Sequence, residues 1–151
     1  MTFVAKDFGE LTAGEVYEIL KSRMEIFMLE QKILCLDADD VDYRARHCFL
    51  EDGGRVVAYL RAFECKSGGG NVKIGRVLSL THRSGLGTEL MIRSICDLKE
   101  HFHCRRLLLD SQKHAVGFYE KFGFRVISGE FPEEGILHVT MELDLEKEMF
   151  F

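Results

Sequence analysis

Ile74-Gly75-Arg76-Val77-Leu78-Ser79-Leu80 leads through Thr81 into His82-Arg83-Ser84-Gly85-Leu86-Gly87, and from there into Thr88-Glu89-Leu90-Met91-Ile92. In the first piece bulky apolar residues take alternate positions, interrupted at Arg76 and thickened by Val77, which is the pattern of a strand. The second piece carries two glycines two residues apart, and the third opens a helical run. A glycine without a side chain lets main-chain N–H groups come close to an anion. The first turn of a helix aims its unpaired donors and its positive dipole end at the same spot. The stretch reads as a strand, a turn able to wrap a phosphate, and a helix. Glycine at this spacing also serves a tight turn on steric grounds alone, so both readings stand at this point.

The rest of the chain sets bounds on that stretch. With 151 residues and 46% hydrophobic content, one domain over residues 1–151 can bury a real core. A net charge of −5 lacks the electrostatic footprint of a nucleic-acid binder and suits a cationic or amine partner. Cys35, Cys48, Cys65, Cys96 and Cys104 are odd in number and scattered, never two residues apart in a Cys-x-x-Cys. That pattern fits reduced thiols in a cytoplasmic protein better than a disulfide framework or a zinc site. No apolar run approaches membrane-spanning length and the N-terminus lacks a signal-like apolar core, so neither export nor membrane insertion is expected. Asp37-Ala38-Asp39-Asp40-Val41-Asp42 tempts a calcium reading. The EF-hand pattern fails, however, because Val41 and Asp42 stand at a ligand and the glycine, and Cys48 at the closing glutamate. A solvated acidic loop without a metal is expected.

Phe3 to Phe8 reads as a first strand, and Thr12-Ala13-Gly14-Glu15 as a capping box. Val16, Ile19, Leu20, Arg23, Phe27 and Met28 recur at helical spacing, predicting one helix with one buried face through about Glu30. His47 to Glu51 and Val56 to Phe63 flank Asp52-Gly53-Gly54-Arg55 and predict an antiparallel hairpin. Ser67-Gly68-Gly69-Gly70-Asn71 is the next turn. Leu90, Met91, Ile95 and Leu98 form the apolar stripe of a helix ending near Phe102, with Lys99, His101 and His103 at its negative end. Arg106 to Asp110 is a continuous apolar run of an interior strand. A helix from about Ala115 to Phe122 stops at Gly123. Phe124 to Ile127 and Ile136 to Leu143 close the sheet, joined by a loop through Pro132, Glu133, Glu134 and Gly135. Met149-Phe150-Phe151 is expected to dock on the body or on a second subunit, which leaves a homodimer open.

About thirty residues beyond the glycine turn stands Phe118-Tyr119-Glu120-Lys121-Phe122-Gly123-Phe124. Together the two motifs resemble the signature of the GNAT acyltransferases, the acyl-coenzyme A dependent N-acetyltransferases. The order of elements is similar to the GNAT fold along essentially the whole chain: an α+β fold, with a mixed central sheet of about six to seven strands flanked by helices. Arg23 to Gln31, the Asp37/Asp39/Asp42 loop and Gly135-Ile136-Leu137-His138 are most similar to its ElaA-like branch. The family's pyrophosphate loop runs Gln/Arg-x-x-Gly-x-Gly/Ala; Gly85 and Gly87 fill its glycine places, while His82 replaces the usual Gln or Arg.

The resemblance implies acetyl-coenzyme A as co-substrate, no metal, and a small-molecule or peptide amine as acceptor. It implies that the backbone of Leu78 and Leu80 pairs with the pantetheine arm like an added strand. Arg83, Ser84, Gly85, Leu86, Gly87 and Thr88 would hold the pyrophosphate. Gln112 stands where many relatives have an asparagine touching the arm, and Ala115 and Tyr119 share a helix face toward the thioester. Family usage makes Tyr119 the proton donor to the departing thiolate; the alternative is a tyrosine packed between Phe118 and Phe122 with its hydroxyl hydrogen-bonded.

A phenol of pKa about 10 giving its proton to a thiolate whose acid has pKa about 8.5 is uphill by roughly 2 kcal/mol. Transfer must therefore follow bond cleavage closely or use a tuned site. An attacking amine must also lose a proton, and Glu30 and His138 are the candidates to take it. Their structural alternatives are closing a helix end, for Glu30, and a satisfied histidine on an inward strand face, for His138. Two rival functions stay open: a coenzyme A binding module without turnover, and a nucleotide phosphate binder. The second of these lacks both Gly-x-x-x-x-Gly-Lys-Ser/Thr and the acidic residue of a dinucleotide fold.

Overall fold

The computed structural model describes residues 1–66 and 68–147. One mixed sheet holds eight strands: β1 (Thr2–Asp7), β2 (Arg46–Asp52), β3 (Arg55–Glu64), β4 (Asn71–Ser79), β5 (Arg106–Gln112), β6 (Arg125–Val126), β7 (Phe131–Glu133) and β8 (Ile136–Asp144). Their spatial order is β1-β2-β3-β4-β5-β8-β6, with β7 also paired to β8. Only β4 and β5 run parallel, and the crossover that such a pair requires is the helix α2 (Leu86–Phe102). Strand β7 lies inside the segment expected to be a plain loop. A two-residue turn makes it possible, since Glu134 and Gly135 both take the positive φ that a tight hairpin needs (51° and 75°). The expected docking of Met149-Phe150-Phe151 lies outside the described residues.

Helix α1 (Ala13–Arg23) starts on the capping box. Thr12 Oγ1 accepts from Glu15 N–H at 3.1 Å, and Glu15 Oε1 accepts from Thr12 N–H at 2.9 Å. The helix was expected to run unchanged to Glu30. Instead Met24–Glu30 winds as a π-helix, closed by Gln31 N–H on Ile26 O at 2.9 Å. Its wider turn breaks the helical phase of the sequence pattern. Ile26 is buried, whereas Met28, counted on the buried face, is 43% exposed.

The core has two sides. On one, Leu90, Met91, Ile95 and Leu98 of α2 pack with Cys48, Leu50, Leu60, Ala62, Val72 and Ile74 of β2, β3 and β4. Each of those four side chains is fully buried, contributing about 1.5–3 kcal/mol apiece. On the other side Ile19 and Ile26 cover Phe49, Val56, Tyr59 and Leu78. Helix α3 (Val116–Glu120) joins the first side through Tyr119, next to Phe122 and Phe124.

The site comes from an irregularity in β4. Between the pairs Arg61↔Gly75 and Tyr59↔Leu78, β4 spends one residue more than β3, and Arg76 takes up the excess at φ +54°. The arginine that interrupts the apolar alternation is thus a bulge. Beyond it β4 leaves β5: their pairing ends at Ile74↔Leu109, although β4 continues to Ser79 and β5 to Gln112. A crevice opens between the parted strand ends.

Candidate active site

At the open end of the crevice the chain turns from β4 into α2. Ser79 Oγ and Ser84 Oγ both donate to Thr81 O, at 2.8 and 2.9 Å, which tightens the turn. Arg83 and Gly85 take positive φ (57° and 83°), and Gly85 N-caps the helix without any side-chain cap. The first helical bond is Glu89 N–H to Gly85 O, at 3.1 Å. The amides of Gly87 and Thr88 precede any intrahelical acceptor and point out of the helix end. Gly87 has a second reason to be glycine, because a Cβ there would lie 3.2 Å from Phe118 Cζ. Its bareness lets α2 and α3 approach, while Gly85 meets the backbone demand of the turn at positive φ. Leu80 departs from expectation: its N–H is committed to Val57 O on β3 at 2.9 Å and does not face the crevice. Leu78 lies opposite Tyr59 with its side chain buried.

Next to the turn lies a cavity of about 450 Å³, lined by residues of the π-helix, the 33–41 segment, β3 to β5, α3 and the β7–β8 hairpin. Tyr119 and Ala115 both line it. The Tyr119 ring meets Phe118 edge-on at 5.1 Å and Phe124 at 6.1 Å, and the residue is 8% exposed. Among the described residues none hydrogen-bonds its hydroxyl, and burial pushes the phenol above its ordinary pKa. Gln112 also lines the cavity, where its Nε2 donates to Gln31 Oε1 at 2.9 Å. Gln31, adjacent to Glu30, had not been singled out from the sequence.

The two proton-acceptor candidates separate. His138 lines the cavity on β8, opposite Gln112 of β5 and Phe131 of β7, and stacks on the Phe131 ring at 6.1 Å. Its Nδ1 lies 2.7 Å from Ile136 O, and since a carbonyl only accepts, Nδ1 carries the proton. In the neutral ring Nε2 is then the basic atom, 3.8 Å from Glu133 Oε2. Glu30 does not line the cavity. Its Oε1 is 2.6 Å from His82 Nε2, which ties the end of the π-helix to the glycine turn through the residue that departs from the family loop.

The acidic loop is largely exposed, as expected, but three of its carboxylates are held by arginines. Arg23, fully buried, sends Nε to Asp37 Oδ2 and Nη1 to Asp42 Oδ1, both at 2.7 Å. Arg61 forks onto both oxygens of Asp39 at 2.7 Å and reaches Asp42 at 3.0 Å. Arg76 Nε, from the bulge, meets Asp37 Oδ1 at 2.9 Å. The Arg61 fork holds the Asp39 carboxyl down at about 2. The carboxylates are drawn in because the guanidinium groups of Arg23 on α1 and Arg61 on β3 would otherwise be buried without countercharge, and the half-buried Arg76 on β4 adds a third contact. A signal for this existed in the sequence: Arg23, Arg61 and Arg76 all interrupt apolar patterns, and four aspartates, Asp37, Asp39, Asp40 and Asp42, stand in one loop. The clamp turns Ile33, Cys35, Asp37, Asp39 and Val41 toward the cavity, while Leu34 and Leu36 face out.

This arrangement overlays on that of an acyl-CoA N-acyltransferase from Pseudomonas aeruginosa, with a TM-score of 0.88 and 30% identity across 95% of this chain and 99% of that one. ElaA of Escherichia coli gives the same TM-score at 26% identity and the same coverage. The fold and crevice are those of an acyltransferase. In sequence, the acetyltransferase (GNAT) domain pattern matches residues 17–145. A UPF0039 protein of Schizosaccharomyces pombe is 33% identical over 149 residues, 96% of this chain and 98% of its own length. The chain belongs to the GNAT acetyltransferase family, in its ElaA-like branch.

Proposed function

We propose that the protein transfers the acetyl group of acetyl-coenzyme A directly to a primary amine, with Tyr119 as the acid. The observation that carries this reading is Tyr119, a nearly buried side chain that lines the cavity with its hydroxyl unpartnered among the described residues, beside the parted ends of β4 and β5. In this reading the amides of the turn from Arg83 to Thr88 receive the diphosphate, and the crevice receives the arm. The acceptor nitrogen attacks the thioester carbonyl and gives its proton to His138 Nε2. As C–N forms and C–S breaks, the thiolate takes the Tyr119 proton. The burial that raises the phenol raises a thiol in the same place too, so the uphill gap of roughly 2 kcal/mol is not widened by desolvation. The rest of the acceleration comes from alignment of two reactants in one cavity.

The test is calorimetry with coenzyme A, together with thiol release from acetyl-coenzyme A over a panel of amines. Tyr119→Phe is expected to keep coenzyme A affinity and lose about a hundredfold in kcat. Coenzyme A binding without thiol release on any amine would replace this reading with that of a silent binding module. Absence of coenzyme A binding would end both.

A further inference from the structure

The charges around the cavity do not cancel evenly. On one wall Arg61 and Arg76 are matched by Asp39 and Asp37, with Arg23 and Asp42 completing the set behind them. On another, Lys73 Nζ sits 2.7 Å from Asp110, whose second oxygen accepts from Thr140 Oγ1 at 2.9 Å. The β7–β8 hairpin is left over. Glu133 and Glu134 both line the cavity, and among the described residues neither has a lysine or arginine partner. The basic atom near Glu133 is His138 Nε2, at 3.8 Å. Two polar side chains that line the cavity also point to a ligand here, each belonging to a residue only 8% exposed: Tyr119, whose hydroxyl has no partner among the described residues, and His138, whose Nε2 makes no hydrogen bond among them. The same lining includes Phe27, Ile74 and Leu109, apolar surface that methylenes can meet.

We infer that the acceptor is an amine with a second cationic group on a short aliphatic spacer, its distal cation against Glu133 and Glu134 and its reacting nitrogen at His138. This rests on the acetyl-transfer reading above and adds the acceptor's charge. A distal cation meets two carboxylates without a lysine or arginine partner among the described residues, at the solvent-exposed rim of the cavity, a distal methyl group gains nothing from them, and a distal carboxylate is repelled.

Three acceptors of nearly equal length separate these cases: 1,4-diaminobutane, pentylamine and 4-aminobutanoate. The expected order of kcat/KM follows distal charge, with the diamine at least about tenfold above pentylamine, a difference of about 1.4 kcal/mol. In Glu133→Gln/Glu134→Gln the ratio of diamine to pentylamine is expected to fall toward one. Because that ratio is taken within one preparation, it does not depend on the fraction folded. A preference that survives the double substitution, or pentylamine or 4-aminobutanoate equalling the diamine in the natural protein, overturns the inference and leaves acetyl transfer standing. Thiol release with none of the amines in the wider panel overturns acetyl transfer itself, and this inference with it.

Discussion

Two tyrosines are buried in this molecule, and their surroundings differ in one respect. Tyr59 is fully buried on β3; its hydroxyl is 2.7 Å from His47 Nδ1, and Arg23 lies over its ring at 5.8 Å. Tyr119 is 8% exposed, packed by phenylalanines, and among the described residues nothing hydrogen-bonds its hydroxyl. Burial raises both phenols. Burial and pKa therefore do not tell a structural tyrosine from a reactive one. What separates them is whether the fold has already used the hydroxyl.

The hardest blow to the Tyr59 side removes its countercharge. Asp42→Ala leaves the buried Arg23 guanidinium short of one partner and takes a contact from Arg61, so we expect a loss of about 3–5 kcal/mol in denaturant unfolding. The exposed pair Arg105–Glu146 is the contrast: Glu146→Ala should move the midpoint hardly at all. Next, the tyrosines exchange roles under the same substitution. Tyr119→Phe should cost about a hundredfold in kcat, or about 2.7 kcal/mol of barrier, at unchanged melting temperature. Tyr59→Phe should do the reverse, costing about 1–3 kcal/mol of stability by stranding His47 Nδ1 while sparing the chemical step. If both variants lose stability equally, the distinction fails.

The smallest expected effect is in pH. His47 Nε2–H donates to Asp42 O at 2.9 Å and Nδ1 accepts from Tyr59, while burial pulls the imidazole below its ordinary pKa. As pH falls, the unfolded chain takes up this proton before the folded one does. Stability is whole above pH about 6.5 and declines below it, by no more than about 1.4 kcal/mol per pH unit. Melts of the natural protein and of His47→Gln between pH 7.5 and 5.5 should show a shallower slope in the variant.

The strand and helix pattern was legible where one period ruled. Alternation found β4, turn signals the β2–β3 hairpin and a continuous apolar run β5; β1, β6 and β8 were read as strands too, and the Leu90–Leu98 stripe found α2. The π-helix was not legible, because Met28 fits the ordinary helical period and only the tertiary packing of Ile26 and Arg23 shows the wider turn. Strand β7 was hidden by Pro132, a residue that a short strand tolerates at a sheet margin. Tyr119 and His138 were found and share the cavity, whereas Glu30 was found for a place that Gln31 takes. Adjacent residues at the end of a helix diverge by roughly 100° around its axis, and a sequence does not say which of them faces in.

The clamped segment from Ile33 to Val41 has a consequence for how this protein can change. Its side-chain hold on the body is ionic and placed at Asp37 and Asp39, with Asp42 just beyond it, while the side chains of Ile33 and Cys35, which also line the cavity, take part in none of those bonds. Anchoring and lining thus fall to separate letters of one strap, so positions 33 and 35 can change the cavity wall without touching the ion pairs that hold it.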